Sequence, residues 1–432
     1  MNENRTIVAL STPVGVGAIS IVRLSGYRSI EYLGRLFKPY GEQIPNMLTL
    51  GVITADGVRD KVMAVVFRAP KSYTGEDMAE VHCHGSPEIV RRIIRAFISL
   101  GAEPAEPGEF TRRAFLSGKL SLDEAEAVSD LISARSAGQI NSAFEAMQGS
   151  LYGELSGVYE EILSVVGGLE AAIDYPEEDV EEMASEEARA VLTRSLDRLK
   201  RLASTFDEGE RVRNGVKVAL VGAPNAGKSS LLNRLLGRDR AIVTANAGTT
   251  RDTIEESYEY GGALFNLVDT AGVRETDDEV EKEGVARSER AAKSAHIVLR
   301  ITDLTNPVHV DVKTDGKIIE VYNKVDVCAP VSGGVNISAQ SGEGVDELKK
   351  IILETASVTP VDGAVITNAR HYSLVLGAVD ELSLALADIG VTSVDCLLVG
   401  LRNALAFLGG VTGVSATDDV INEIFSNFCV GK

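Results

Sequence analysis

The eight residues Gly222 to Ser229, Gly-Ala-Pro-Asn-Ala-Gly-Lys-Ser, have the types and spacing of a phosphate-binding loop. Two glycines let successive backbone N–H groups turn inward around phosphate oxygens, Lys228 reaches the outer phosphates, and Ser229 brings a hydroxyl to Mg2+. Asn323-Lys324-Val325-Asp326 follows the apolar run Ile318 to Tyr322. A carboxylate at Asp326 can accept from both N1–H and the 2-amino group of guanine, an edge that adenine lacks, so the expected ligand is GTP rather than ATP. Ser338 and Ala339 would close the base pocket. In Asp269-Thr270-Ala271-Gly272, the aspartate suits the Mg2+ shell and Gly272 can offer its N–H to the γ-phosphate. Gly248-Thr249-Thr250-Arg251-Asp252 lies between, where a mobile loop would bring Thr250 to the metal. Val273 follows Gly272, so the glutamine that could orient a water there is missing. The acidic stretch Asp277 to Glu283 is a source of a replacement, with a solvated helix face as the other reading of most of it.

These residues need a strand before each loop and a helix after the first. Val216 to Val221 reads as a buried strand, Ser230 to Leu236 as a helix, and Leu264 to Val268 and Val335 to Ile337 as further strands. The strand-like His296 to Ile301 and Ile318 to Tyr322 are joined only by Thr302 to Lys317, including Pro307, so the crossover helix expected there is very short or absent. That leaves one sheet face thinly covered.

At 432 residues, with 44% apolar content, 41 glycines and 12 prolines, the chain reads as two to four globular domains. The absence of an apolar stretch near 18 residues, and a beginning at strand-like Thr6 to Leu10, lead us to expect a cytoplasmic protein with no membrane segment. Four scattered cysteines fit that compartment. The formal net charge is −20, which argues against a protein that coats nucleic acid, since phosphate contacts need clustered Lys and Arg. The best basic region, Ser86 to Lys119, carries only +2.

Up to about Gly118 the pattern is α+β: strand-like Thr6 to Leu10, Ala18 to Leu24, Leu48 to Ile53, Asp60 to Phe67 and Ala79 to His82, with a helix at Pro87 to Leu100. Ser121-Leu-Asp-Glu124 is a capping-box start, and leucines at 192, 196, 199 and 202 mark another helix. Asp174 to Glu182, with a proline and six acids, reads as a loop. Helices return at Ala369 to Ala387, Asp395 to Leu408 and Asp418 to Phe428. In His82-Cys83-His84, alternation would send Cys83 opposite both histidines, which argues against a metal site. Cys429 lacks the context of a prenylation site; a buried apolar cysteine and a place near a modification site both remain open.

Four segments together resemble the bacterial MnmE or TrmE family of tRNA-modification GTPases: Tyr73-Thr-Gly-Glu-Asp77, Gly108-Glu-Phe-Thr-Arg-Arg-Ala-Phe115, the nucleotide motifs with Gly248 to Asp252, and Phe428-Cys-Val-Gly-Lys432. The resemblance spans essentially the whole chain. It implies a multidomain α/β and α protein: an N-terminal α+β folate-binding and dimerisation domain (1–118), and a helical domain (119–213 and 362–432) interrupted by a Ras-like P-loop GTPase domain (214–361). It further implies a homodimer whose GTP hydrolysis is activated by K+, held by Asn225, Thr244, Asn246 and Thr249, with Glu281 orienting the water. A turn beside Pro224 is the plainer reading of Asn225. Nucleotide contacts would then run over Asn225, Ala226, Gly227, Lys228, Ser229 and Ser230; over Thr244, Ala245, Asn246, Ala247, Gly248, Thr249 and Thr250; over Asp269, Thr270, Ala271 and Gly272; and over Asn323, Lys324, Asp326, Ser338 and Ala339. Arg23, Glu80, Lys119 and Lys432 match positions that bind 5-formyltetrahydrofolate or a related tetrahydrofolate, and Cys429 falls near the modification site. The implied reaction, with the FAD-containing partner MnmG, adds an aminomethyl-type group to C5 of the wobble uridine of certain tRNAs, the tRNA being held largely by the partner. A regulatory GTPase acting in ribosome assembly is the alternative.

Overall fold

The computed structural model describes residues 5–174, 178–237, 256–268, 290–358 and 363–431. The chain divides into two compact units, Met1–Ser129 with Gly409–Lys432, and Asp130–Leu408.

The first unit is built on a seven-stranded sheet: β1 (Ile7–Leu10), β2 (Ile19–Ser25), β3 (Phe37–Pro39), β4 (Thr49–Ala55), β5 (Val58–Phe67), β6 (Met78–His84) and β7 (Glu103–Pro104), ordered β3-β4-β5-β6-β2-β1-β7. Neighbours run antiparallel except β1 and β7. Period-2 alternation gives the sheet one apolar face. Val22, Leu24, Val62, Ala64, Val66, Ala79, Val81 and Cys83 pack beneath the helices Ser29–Leu36 and Pro87–Ser99. The opposite face receives the intervening residues, Arg23, Glu80 and His82 among them. At its β1 end, Phe110 from the helix Glu109–Leu116 packs on Ile7 and Ala9. The helix Asp418–Ser426 also belongs to this unit: Ile421, Phe425 and Phe428 are buried with Leu122 and Ala125, and the Phe115 and Phe425 rings lie 6.3 Å apart. The capping box is formed, with the Ser121 N–H donating to Glu124 at 2.8 Å and the Glu124 N–H to the Ser121 hydroxyl at 3.4 Å.

The second unit combines helices with a second sheet. The helices Ser150–Asp174, Glu178–Ala203, Phe206–Asn214 and Ala369–Asp388 bury a leucine-rich stripe, including Leu192, Leu199 and Leu382. Phe206 stacks on Tyr372 at 4.1 Å and the Ile366 N–H donates to the Thr205 hydroxyl at 3.1 Å, so helices preceding and following the second sheet pack together. The expected loop from Asp174 to Glu182 is corrected: a helix already runs from Glu178. A run of carboxylates is favourable at the positive end of a helix dipole, so acidity alone does not exclude a helix start. The helix Val394–Thr412 is long and apolar enough to cross a membrane by length and composition, at mean hydropathy 1.5, which corrects the expectation of no such stretch. Its buried residues Leu397, Leu398, Leu401, Ala404, Leu405 and Leu408 form one stripe, and Arg402 on another face pairs with Glu170, the pattern of a bundle helix.

The second sheet comprises β8 (Val216–Gly222), β9 (Glu256–Tyr260), β10 (Ala263–Val268), β11 (Ile297–Asp303), β12 (Lys317–Asn323) and β13 (Val335–Ile337), ordered β13-β12-β11-β8-β10-β9. Only β9 runs antiparallel to its neighbour. Helices Lys228–Leu236 and Val345–Ala356 contribute Leu231, Leu232, Leu235, Leu348 and Ile352 to the core beneath it. The crossover between β11 and β12 contains no helix. Val310 and Val312 pack instead against the cluster that includes Ala219, Val221 and Val298.

Candidate functional site

Strand β8 ends at Gly222, and the loop that follows turns into the helix beginning at Lys228. The turn requires a left-handed backbone at Gly227 (φ 94°), where a Cβ would run into the Asn323 side chain. Asn225 also has positive φ (62°) and is exposed at the loop apex. The Lys228 ammonium donates to the carbonyls of Gly222 and Ala223, both at 2.8 Å, and burial lowers its pKa. Ser229 is half-buried and Ser230 exposed in the first helical turn, where the N–H groups at a helix start favour anions.

The parallel strands carry the Asn323 and Ser338 segments to the same edge. Asn323 closes β12 and is 3% exposed. Its Nδ2 donates to the Ala226 carbonyl at 2.8 Å, and its Oδ1 accepts from the N–H groups of Lys324 (2.9 Å) and Ala339 (3.0 Å). One side chain thus joins the phosphate loop, the Asn-Lys-Val-Asp segment and the Ser338-Ala339 segment. Ser338 is fully buried, its hydroxyl accepting from the Ser341 N–H at 3.1 Å, while Asp326 stands exposed beside them. Two contributors were not foreseen. Asp303, the register partner of Asn323, pairs with Lys324 at 2.6 Å. Burial acts to raise its pKa, but Lys324 and Thr305 outweigh this and hold the carboxyl below the usual range. Arg234 donates to the carbonyls of Ala339 and Gln340, tying the helix Lys228–Leu236 to the segment that follows Ser338. A charged residue at a strand end was the available signal for Asp303. Thr244, Ala245, Asn246, Ala247, Gly248, Thr249, Thr250, Asp269, Thr270, Ala271, Gly272 and Glu281 lie outside the described residues.

In the first unit, Arg23 and Glu80 are register partners on β2 and β6, joined at 2.8 Å. The Arg23 guanidinium lies 5.7 Å from the ring centroids of both Tyr73 and Phe110. The two motifs around those rings are physically one structure: Tyr73 and Thr111 share a hydroxyl bond at 2.9 Å, Glu76 pairs with Arg113 at 3.0 Å, and the Ser117 hydroxyl donates to the Thr74 carbonyl at 2.7 Å. Burial works to raise the Glu80 pKa, yet His82 and Arg23 draw it below the ordinary value, so Glu80 is an acceptor-only carboxylate. Lys119 is exposed and lies beside Gly75. The chain end is pinned against the same sheet: Pro107 bridges to Val430, the Gly108 N–H donates to the Cys429 carbonyl at 3.3 Å, and the Ser11 hydroxyl to the Gly431 carbonyl at 3.0 Å. Cys429 is exposed, which corrects its reading as a buried apolar residue, and Lys432 lies outside the described residues. Cys83 faces the core with its thiol pushed up to about 11 by burial, while His82 contacts Glu80 on the other face and His84, at the strand end, reaches Asp60.

The family models named MnmE helical domain and GTP-binding protein TrmE N-terminus match residues 122–429 and 6–119. The chain is 40% identical to the tRNA modification GTPase MnmE of Moorella thermoacetica, over 99% of both chains. It is 38% identical to that of Christiangramia forsetii over the whole of both, and 38% identical to that of Porphyromonas gingivalis over 99% of this chain and 98% of the relative. Among solved structures, the G domain of the T. maritima FeoB iron transporter aligns at 27% identity over 33% of this chain and 99% of that one, with a TM-score of 0.23. With both family models and full-length relatives in agreement, the chain belongs to the MnmE family of tRNA modification GTPases.

Proposed function

We propose that this GTP hydrolase of tRNA modification is activated by K+ and works as a homodimer with an FAD-containing partner. Together they add an aminomethyl or carboxymethylaminomethyl group to C5 of the wobble uridine, drawing on a formyltetrahydrofolate-type donor. The observation that carries the nucleotide half is the triple junction at Asn323, which gathers a phosphate loop and a guanine-selective carboxylate at one sheet edge. Lys228 would meet the outer phosphates, Ser229 with Thr250 and Asp269 would hold Mg2+, and Asp326 would read the base. Asn225 suits a K+ ligand because its amide is presented at the exposed loop apex; Thr244, Asn246 and Thr249 would complete the set. A bound K+ supplies fixed positive charge beside the phosphates, and Glu281 orients the attacking water.

For the folate half, the supporting observation is the half-buried, ionised Glu80 held by Arg23, whose guanidinium lies near the rings of Tyr73 and Phe110. A carboxylate there accepts from the 2-amino edge of a pterin, while Lys119 and Lys432 favour its glutamate tail. The acidic balance of the chain supports delegating most tRNA contact to the partner, and the reaction places the protein in the cytoplasm. GTP turnover in K+ and in Na+ at equal ionic strength tests the first half: strong K+ activation is expected, and equal rates would overturn it. Wobble-uridine analysis in a deletion strain tests the second: loss of the modification is expected, and intact modification with disturbed ribosome profiles would favour the assembly reading.

A further inference from the structure

We propose that His82 is a positioning residue for the Glu80 carboxylate, fixing its plane so that both oxygens can accept from a ligand carrying two parallel N–H donors. The proposal rests on the folate reading of this site and identifies how the pterin edge would be held. A carboxylate has about four lone-pair directions. Arg23 Nε occupies one on Oε1 at 2.8 Å, and His82 Nε2 occupies one on Oε2 at 3.4 Å, the ring nitrogen donating because the partner is an ionised acid. One direction on each oxygen remains for a ligand. That is the pattern an N–H and an adjacent amino group on a pyrimidone ring require, and it exists only while the carboxylate is kept from rotating. Arg23 alone leaves rotation about the last side-chain bond, a broad torsion that does not lock itself; a second donor on the other oxygen removes it.

The surroundings support a role beyond packing. His82 lies across from Ile21 on β2 and Met63 on β5, two residues along β6 from Glu80, so the alternation of the strand places both side chains on one face. Backbone pairing on both sides holds the strand without help from the imidazole. The His82 and Glu80 side chains are 20% and 14% exposed, so the pair is shielded from bulk water yet reachable. The core beneath is formed by Val81 and Cys83 on the other face, so replacing His82 removes nothing from it.

The test is calorimetric titration of the full-length protein with 5-formyltetrahydrofolate, for wild type, His82→Leu and His82→Gln, with thermal unfolding midpoints as the check on folding. His82→Leu removes the donor and is expected to weaken binding about tenfold, the low end for a bond to a charged acceptor. His82→Gln restores an N–H of similar reach and is expected to bind within about threefold of wild type. Wild-type affinity in His82→Leu, or equal loss in both variants, would overturn the positioning role while leaving the folate site standing. Failure of the wild type itself to bind at millimolar ligand would defeat the folate reading and the proposal with it.

Discussion

Replacing Asn323 with alanine is the most informative perturbation of the nucleotide site, because this one side chain joins three segments. In the native protein its amide satisfies the Ala226 carbonyl at 2.8 Å and the Ala339 N–H at 3.0 Å. Ala226 and Ala339 are 1% and 5% exposed, so water does not readily replace the lost partners. A buried polar group left unsatisfied costs about 1–3 kcal/mol. Two such groups, with some relaxation of the loops, put the loss at about 2–4 kcal/mol. Since the bonds order both the phosphate loop and the base side, that loss should appear as a fall in GTP affinity of about 30- to 800-fold, together with a lower unfolding midpoint. Titration with a fluorescent GTP analogue measures the first and calorimetry the second. Asp326→Ala separates ligand reading from loop ordering: its carboxylate is exposed and makes no hydrogen bond among the described residues, so this variant should lose preference for GTP over ATP without losing thermal stability. Binding by Asn323→Ala within threefold of wild type, at an unchanged midpoint, would refute the junction as the organiser of the site.

Glu281→Ala should bind GTP near the wild-type level and hydrolyse it far more slowly; unaltered single-turnover rates would remove Glu281 as the water-orienting group. Gly431 has φ 96° and a Cβ would run into the Leu10 carbonyl, so Gly431→Ala should free the chain end from Ser11 and Pro107. Carboxypeptidase should then trim it several-fold faster, and an unchanged digestion rate would count against the pinned tail. Glu109 is 2% exposed; burial acts to raise its pKa, but the Glu106 N–H, Arg113 and Arg5 outweigh burial and hold it below the ordinary 4.5. A depressed carboxyl pKa contributes stability that is complete above the unfolded value and lost as pH falls through the folded one. The unfolding midpoint should therefore drop on acidification below pH 4.5, less steeply in Glu109→Gln; parallel slopes would exclude this carboxyl from acid unfolding.

Much of the nucleotide half was legible because its chemistry is local. A phosphate loop works through consecutive backbone N–H groups, so its glycines and lysine must sit at fixed spacing, and the strand before it shows as an apolar run. The strands of the front sheet were legible for the same reason: each face of a pleated strand writes a period of two, which also placed Cys83 opposite its flanking histidines. Charge was a poorer guide. The acidic run after Asp174 suggested a loop, whereas a helix start tolerates those residues, and the helix Val394–Thr412 concealed its apolar length behind Asp395 and Arg402.

What the sequence alone determined is therefore the set of elements whose residues lie within a few positions of one another: the glycine-rich loop between strand and helix, the Asn-Lys-Val-Asp turn at a strand end, the capped helices and the alternating strands. Only the tertiary structure decided which distant residues meet. Asn323 reaches Ala226 across 97 positions, Glu76 reaches Arg113 across 37, and Gly431 closes on Ser11 across 420. Arg23 acquires its place beside Glu80 from sheet register across 57 positions. Local geometry repeats with the backbone and so leaves a periodic trace. Long-range pairs depend on which surfaces are buried together, and nothing in the spacing of either partner records that choice.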